Sequence, residues 1–248
     1  MLKDKDIREA LFDYLEIEYG KTRIMEEKMI GKSRADVIMV IAGALAGIEI
    51  KSDADTYTRL EGQIKDYDKY FDYNIVVVGS SHAMHIEEHV PEYWGIVTVD
   101  EVDGKADFYF LRQPLLNKKM KINRKLEILW RPELDILQKK HGMPAYKQKS
   151  KAFIRKKIVE WTKTPPTKAE ITRIKRKAKA EGITPDIPET KINICDLNND
   201  ISELLFERDY EKLLAEIAAF RKEKNPKRRG PKASTNVRRI RRREKKSQ

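Results

Sequence analysis

Between Ala35 and Lys51 the chain carries two short β-forming runs, Ala35-Asp36-Val37-Ile38-Met39-Val40-Ile41 and Gly47-Ile48-Glu49-Ile50-Lys51, joined through a connection punctuated by Gly43 and Gly47. Two such runs separated by so little chain predict an antiparallel hairpin. A turn through residues 42–45 pairs Ile41 with Ala46, which sets Asp36 opposite Lys51 and Ile38 opposite Glu49. Paired residues share a face and side chains alternate along a strand, so Asp36, Glu49 and Lys51 all project from one side of otherwise apolar strands. Charge placed there is costly unless it is compensated. One lysine against two carboxylates leaves about one negative charge, which a divalent cation can offset.

The flanking pattern supplies a frame for this hairpin. Ile7, Leu11, Tyr14 and Leu15 have helical spacing over 6–16, with Gly20 closing the segment, and residues 22–30 form a further strand. From Asp53, read as an N-cap, Tyr57, Leu60, Ile64, Tyr67 and Phe71 draw one apolar stripe on a helix of about five turns. Asn74-Ile75-Val76-Val77-Val78-Gly79 is a buried type of strand, followed by a short helix over 82–89, a strand over 95–99 and a hairpin at Asp103-Gly104 into Phe108-Tyr109-Phe110. Beyond Pro114 the composition turns to lysine-rich helix: a segment over 126–137 broken or kinked at Pro132, another through Phe153 and Trp161, a basic one over 168–180, and a last amphipathic helix over 199–221. The expected domains are 1–114, an α/β core, 115–220, a helical basic region, and 221–248, a basic disordered tail.

Two carboxylates with a backbone carbonyl, that of Ile50, form the hard oxygen set that Mg²⁺ or Mn²⁺ accepts while it keeps water. An ion so held lowers the pKa of bound water and stabilises charge developing on phosphorus, and Lys51 beside it can orient that water, take its proton or offset the charge. Phosphodiester hydrolysis is the chemistry this set suits.

The order helix, three strands, helix, strand, with Asp36 opening the second strand and Glu49-Ile50-Lys51 in the third, resembles the PD-(D/E)XK nuclease superfamily, the restriction-endonuclease-like fold. Ser33-Arg34-Ala35-Asp36-Val37, Glu49-Ile50-Lys51-Ser52-Asp53, Pro91-Glu92-Tyr93-Trp94-Gly95 and Leu129-Trp130-Arg131-Pro132-Glu133 are similar to a small bacterial and phage family within it, over roughly residues 4–162. Ala35 stands in the place of the nominal proline. The resemblance implies a mixed sheet with flanking helices, Asp36 and Glu49 as metal ligands, Lys51 as the catalytic lysine, Gln63 as the glutamine of the following helix and Glu9 as the glutamate of the first. It implies a Mg²⁺-dependent deoxyribonuclease. A nucleic-acid-binding protein on the same fold that does not cut, and an interaction module for RNA or an acidic protein, stay open as alternatives.

Charge distribution bears on the partner. The 248 residues hold 52 Lys+Arg and 40 Asp+Glu, a net +12, while residues 221–248 alone hold 14 basic and 2 acidic side chains, an excess equal to the whole. Such a segment cannot build a core and suits a polyanion through counterion release. Arg228, Arg229, Lys232, Arg238, Arg239, Arg241, Arg242 and Arg243 are its candidate nucleic-acid contacts, with DNA the expected partner and RNA left open. Lys227-Arg228-Arg229-Gly230-Pro231-Lys232 resembles an AT-hook but lacks the arginine between glycine and proline, so only the electrostatic reading stands. His82, His85 and His89 share a helical face, read as the polar flank of a buried stripe rather than as a metal site. The single Cys195 rules out an intramolecular disulfide and suits a reducing compartment. No apolar run is long enough to span a bilayer and the start lacks the plan of a signal peptide, so a cytoplasmic protein is expected, with a homodimer left open.

Overall fold

The computed structural model describes residues 4–212, 214–215 and 218–219. The proposed contacts Arg228, Arg229, Lys232, Arg238, Arg239, Arg241, Arg242 and Arg243 lie outside the described residues. Six strands form one mixed sheet in sequence order: β1 (Arg23–Ile30), β2 (Ser33–Ile41), β3 (Ala44–Lys51), β4 (Tyr73–Gly79), β5 (Gly95–Val102) and β6 (Lys105–Arg112). β1, β2 and β3 are an antiparallel meander, β3, β4 and β5 run parallel, and β6 returns antiparallel to β5. The β5–β6 turn is the expected two-residue hairpin, with Asp103 at φ 51° and Gly104 at φ 74°, the pair of positive values such a turn requires.

Strand alternation sorts the core into two layers. Val37, Met39, Ala46, Ile48, Ile50, Ile75 and Val77 pack under Ile7, Leu11 and Leu15 of α1 (Asp4–Tyr19). Ile38, Val40, Leu45, Val76 and Val78 face the other way, onto α2 (Leu60–Tyr70) and the helices that follow. These are α3 (Ser80–Ala83), α4 (Ile86–His89), α5 (Ile122–Lys125), α6 (Arg131–Lys140), α7 (Lys151–Trp161), α8 (Lys168–Glu181) and α9 (Ile194–Phe206). The chain divides after Arg208, and the described residues up to Arg208 form the first compact unit. Within the first, buried polar contacts join distant segments: Lys125 Nζ pairs with Asp72 at 2.6 Å and donates to the Asn198 amide oxygen at 2.8 Å, and Arg208 pairs with Glu133 at 2.7 Å. No helix among the described residues is long and apolar enough to cross a membrane.

Several expectations are corrected. The β2–β3 turn is tighter, pairing Ile41 with Ala44 and Ile38 with Gly47. Two fewer residues in the turn move the register by two, and an even shift leaves every side chain on its original face. α2 begins at Leu60, not Asp53, and is three turns long. Asp53 instead caps the turn after β4, accepting from Ser81 N–H at 3.1 Å and Ser81 Oγ at 2.6 Å. The expected 82–89 helix is two single turns, α3 and α4, so the three histidines share no helical face. His82 bonds the Tyr57 hydroxyl at 2.8 Å. The 126–137 segment is interrupted, as expected, just before Pro132: residues 126–130 are not helical and α6 begins at Arg131, with the proline in its first turn, where its missing N–H costs nothing. The last helix of the first unit starts at Ile194, capped by the Asn193 side chain on Cys195 and Asp196 N–H, and ends at Phe206.

Candidate active site

Asp36 sits where β2 leaves both neighbours. The β1 ladder runs to Glu26↔Val37 and resumes at Lys28↔Ala35, skipping Glu27 and Asp36, and the β3 ladder stops at Val37↔Ile48. Glu27 stands at φ 54°, a conformation costing a non-glycine residue roughly 1–2 kcal/mol. Its carboxylate is fixed from both sides, by Arg8 at 3.0 Å and Arg34 at 2.6 Å. The backbone groups that Asp36 withdraws from the sheet find other partners. Its N–H donates to the Tyr67 hydroxyl at 3.2 Å and its carbonyl accepts from Arg8 at 3.5 Å, while its Oδ2 accepts the Ile50 N–H at 3.0 Å.

Continuing the β2–β3 register sets Asp36 across from Glu49, on the face toward α2. Glu49 is 1% exposed and Lys51 3%. Lys51 Nζ donates to Glu49 Oε1 at 2.7 Å and to Gln63 Oε1 at 3.2 Å, and the Gln63 amide also donates to Glu49 Oε1. Tyr67, fully buried on α2, donates to Glu49 Oε2 at 2.7 Å and lies 3.2 Å from the Ile48 carbonyl. Burial first, then the Glu49 and Asp36 charges, push the Tyr67 phenol well above its usual range. Burial and the neighbouring Glu49 push the Asp36 carboxyl up to about 7, against the pull of the Ile50 N–H, Arg8 and Lys51.

Asp36, Glu49, Ile50, Lys51 and Gln63 line one cavity of about 680 Å³. Glu9 is exposed and does not line it; the α1 residue that does is its neighbour Arg8. Arg8 also reaches Asp36 Oδ1 at 3.7 Å. Lys32, Arg34 and Arg59 add a basic lip. The lip is held from α2: Asp66 Oδ2 accepts from Lys32 N–H at 3.0 Å and from Ser33 N–H at 3.1 Å. Sequence reasoning missed Arg8, Tyr67 and this lip. The available signal was the tyrosine itself, since a buried phenol on an apolar stripe needs a polar partner.

The donor set suits a hard cation. Glu49 Oε1 has both lone pairs engaged, but Oε2 and Asp36 Oδ2 each accept one bond from the chain and retain a second site. Among the described residues no group of three or more His, Cys, Asp or Glu gathers as a metal cluster. An ion here would therefore rest on two carboxylates, a carbonyl and water, the low protein-ligand count that Mg²⁺ tolerates.

A family model described as Bacteriophage P4 protein cII matches residues 1–199. Protein cII of Enterobacteria phage P4 is 23% identical over 149 residues, covering 58% of this chain and 55% of that protein. The chain thus spans about half the length of the curated relative it matches. Among solved structures, Pyrococcus furiosus SfsA in complex with Ca²⁺ is similar over 48% of this chain and 63% of that one, at 14% identity and a TM-score of 0.29, too low to establish a common fold. The family match runs through the sheet, Asp36, Glu49, Lys51 and the helices as far as α9, and the chain belongs to the bacteriophage P4 protein cII family.

Proposed function

We propose that this protein is a metal-dependent nuclease that hydrolyses phosphodiester bonds in DNA, built on a PD-(D/E)XK, restriction-endonuclease-like core. The observation that carries the reading is the convergence of Asp36, Glu49, Lys51 and Gln63 in one cavity with a basic lip. Asp36, Glu49 and the Ile50 carbonyl would hold Mg²⁺ or Mn²⁺. When bound, the ion supplies a more acidic water and stabilises charge on phosphorus. Lys51 Nζ donates to Glu49 and Gln63, and its remaining capacity would face the attacking water or a phosphoryl oxygen. Gln63 fixes the Lys51 side chain by accepting from it while donating to Glu49. Arg8, Lys32, Arg34 and Arg59 receive the phosphates on either side of the scissile bond. The basic tail over 221–248 adds affinity that does not depend on base sequence.

The test is nicking of supercoiled plasmid by the full chain across a Mg²⁺ titration, with EDTA as control. Asp36→Ala and Lys51→Ala should each abolish the nicked product; cleavage undiminished in both refutes the assignment. One observation favours a second reading, a nucleic-acid-binding protein that does not cut. The Lys51, Gln63 and Tyr67 side chains already satisfy three of the bonds that Glu49 can accept. That reading predicts duplex binding with no metal-dependent product.

A further inference from the structure

Helix α8 (Lys168–Glu181) has a charge pattern that its packing does not explain. Only Ala178 is buried on it, with Ile171 and Ile174 half-buried on the same stripe. Lys168, Arg173, Lys175, Arg176, Lys177 and Lys179 are all exposed. Lys177 lies 3.7 Å from Glu181, and the other five make no ion pair among the described residues. The acids are placed at the ends. Glu170 is used by the N-terminal cap, accepting from Thr167 Oγ1 at 2.8 Å, and is bound by Lys191 at 3.0 Å, while Glu181 precedes the Gly182 C-cap at φ 69°. Residues 171–180 contain no acid at all. On α6 and α7, by contrast, most bases meet an acid, Arg131 with Asp135 and Lys157 with Glu160 on the same helix, Lys140 with Asp200 and Arg155 with Glu127 on other segments.

At 100° per residue the six bases fall in an arc of roughly 200°, centred opposite the buried stripe. They form two flanks: Lys168, Lys175 and Lys179 lie within about 40° of one another, and Arg173 and Lys177 form a second group centred about 160° away. Between them stand the small Ala169, Thr172 and Ala180, with Arg176 in the middle. The flank from Lys168 to Lys179 is about 16 Å long. Bases at i and i+4, Arg173 with Lys177 and Lys175 with Lys179, repel one another in the free helix, and neutralisation by an anion relieves that repulsion.

We propose that α8 is a second nucleic-acid contact, separate from the cavity, that lies in the major groove of duplex DNA. The proposal rests on the reading that the substrate is DNA. A helix 10–12 Å across fills a groove about 12 Å wide. The two flanks then face the phosphates of the two opposite strands, and the small residues let the helix approach the groove floor, where Arg176 meets base edges. A single strand offers only one wall, and the major groove of A-form RNA is too narrow to admit side chains.

Anisotropy of a labelled duplex titrated with the full chain in EDTA, repeated over a KCl series, tests this. The variants are Lys168→Gln/Lys175→Gln/Lys179→Gln and Arg173→Gln/Lys177→Gln. All five positions are exposed, so melting temperatures should match the parent protein. The log–log salt slope is expected to fall by about 2.7 for the triple variant and about 1.8 for the double, from roughly 0.9 per phosphate contact. Single-stranded DNA of the same length should lose the contribution of no more than one flank. Unchanged slopes in both variants overturn the proposal and leave a solvated face; equal loss on duplex RNA overturns the groove geometry. Asp36→Ala should keep the parental slope, so loss of cutting in that variant and loss of duplex affinity in the α8 variants report on separate claims.

Discussion

Replacing Asp36 by asparagine removes a charge that the fold tolerates at a cost. The carboxyl is raised from 3.8 to about 7 by burial and by Glu49, with its side chain 17% exposed. At 1.36 kcal/mol for each pKa unit the ionised form is disfavoured by roughly 4 kcal/mol, and partial exposure and relaxation reduce this to an expected gain of ~2 kcal/mol for Asp36→Asn at pH 8. For a unit of this size that is about 4–8 °C in melting temperature. The pH dependence follows from linkage. Between about pH 4 and pH 7 native Asp36 binds a proton that the unfolded chain, with an ordinary aspartate, has released. Stability of the parent protein therefore falls as pH rises through that window, whereas the variant lacks this component. The gain should be full at pH 8 and less than half as large at pH 5, vanishing only below the ordinary aspartate range. Thermal unfolding in EDTA at the two pH values is the assay. Equal melting of the two proteins at pH 8, or the same gain at both pH values, refutes the reasoning. Adding millimolar Mg²⁺ should then raise the melting temperature of the parent by mass action and leave the variant unmoved.

Tyr67→Phe keeps the ring but leaves the Asp36 N–H and Glu49 Oε2 without that hydroxyl. A loss of about 3 kcal/mol is expected in urea denaturation, and a change below about 0.5 kcal/mol would count against Tyr67 as the hub of the site. Gly47→Ala places a Cβ 2.1 Å from Phe71 Cδ2 and 2.7 Å from Tyr67 Cδ1. It should cost about 1–3 kcal/mol by overpacking, and cutting should weaken as Tyr67 shifts; wild-type stability would show that α2 can move away freely. Removing residues 221–248, with their 14 basic side chains, should weaken duplex binding and flatten its salt dependence; an unchanged slope excludes the tail from binding.

The sheet and the carboxylate pair were legible because alternation and strand order are local signals. Misplacing the β2–β3 turn by two residues did no harm to the site, since Asp36, Glu49 and Lys51 kept their common face. What escaped depended on partners far along the chain. Asp53 resembles a cap, yet its carboxylate is taken by Ser81, 28 residues on, where Gly79 leaves the room: a Cβ there would lie 2.2 Å from Asp53 Oδ1. Helix periodicity could place Glu9 away from the Ile7–Leu11 stripe but not choose Arg8, whose reach into the site depends on the turn of chain at Glu27. α9 starts five residues before the expected Asn199 and stops at Phe206 although the leucine spacing continues; helix resumes at Tyr210, and the break falls beside Arg208, which bonds Glu133 75 residues earlier.

The contacts of Arg23 on β1 bear on how this chain is made. Its guanidinium donates to the carbonyls of Phe206 at 2.5 Å and Arg208 at 2.7 Å, across 183 and 185 residues. At synthesis rates of roughly 5–20 residues per second, those acceptors leave the ribosome about 10 to 40 s after the arginine does. During that interval the first strand and the β2–β3 turn, where Gly43 N–H awaits Ser202 Oγ at 2.9 Å, lack their final partners. The nascent chain can pair its meander early, but the end of β1, β2 and β3 away from Asp36 is completed only when α9 arrives, so premature termination before α9 leaves a sheet open to chaperones and proteases.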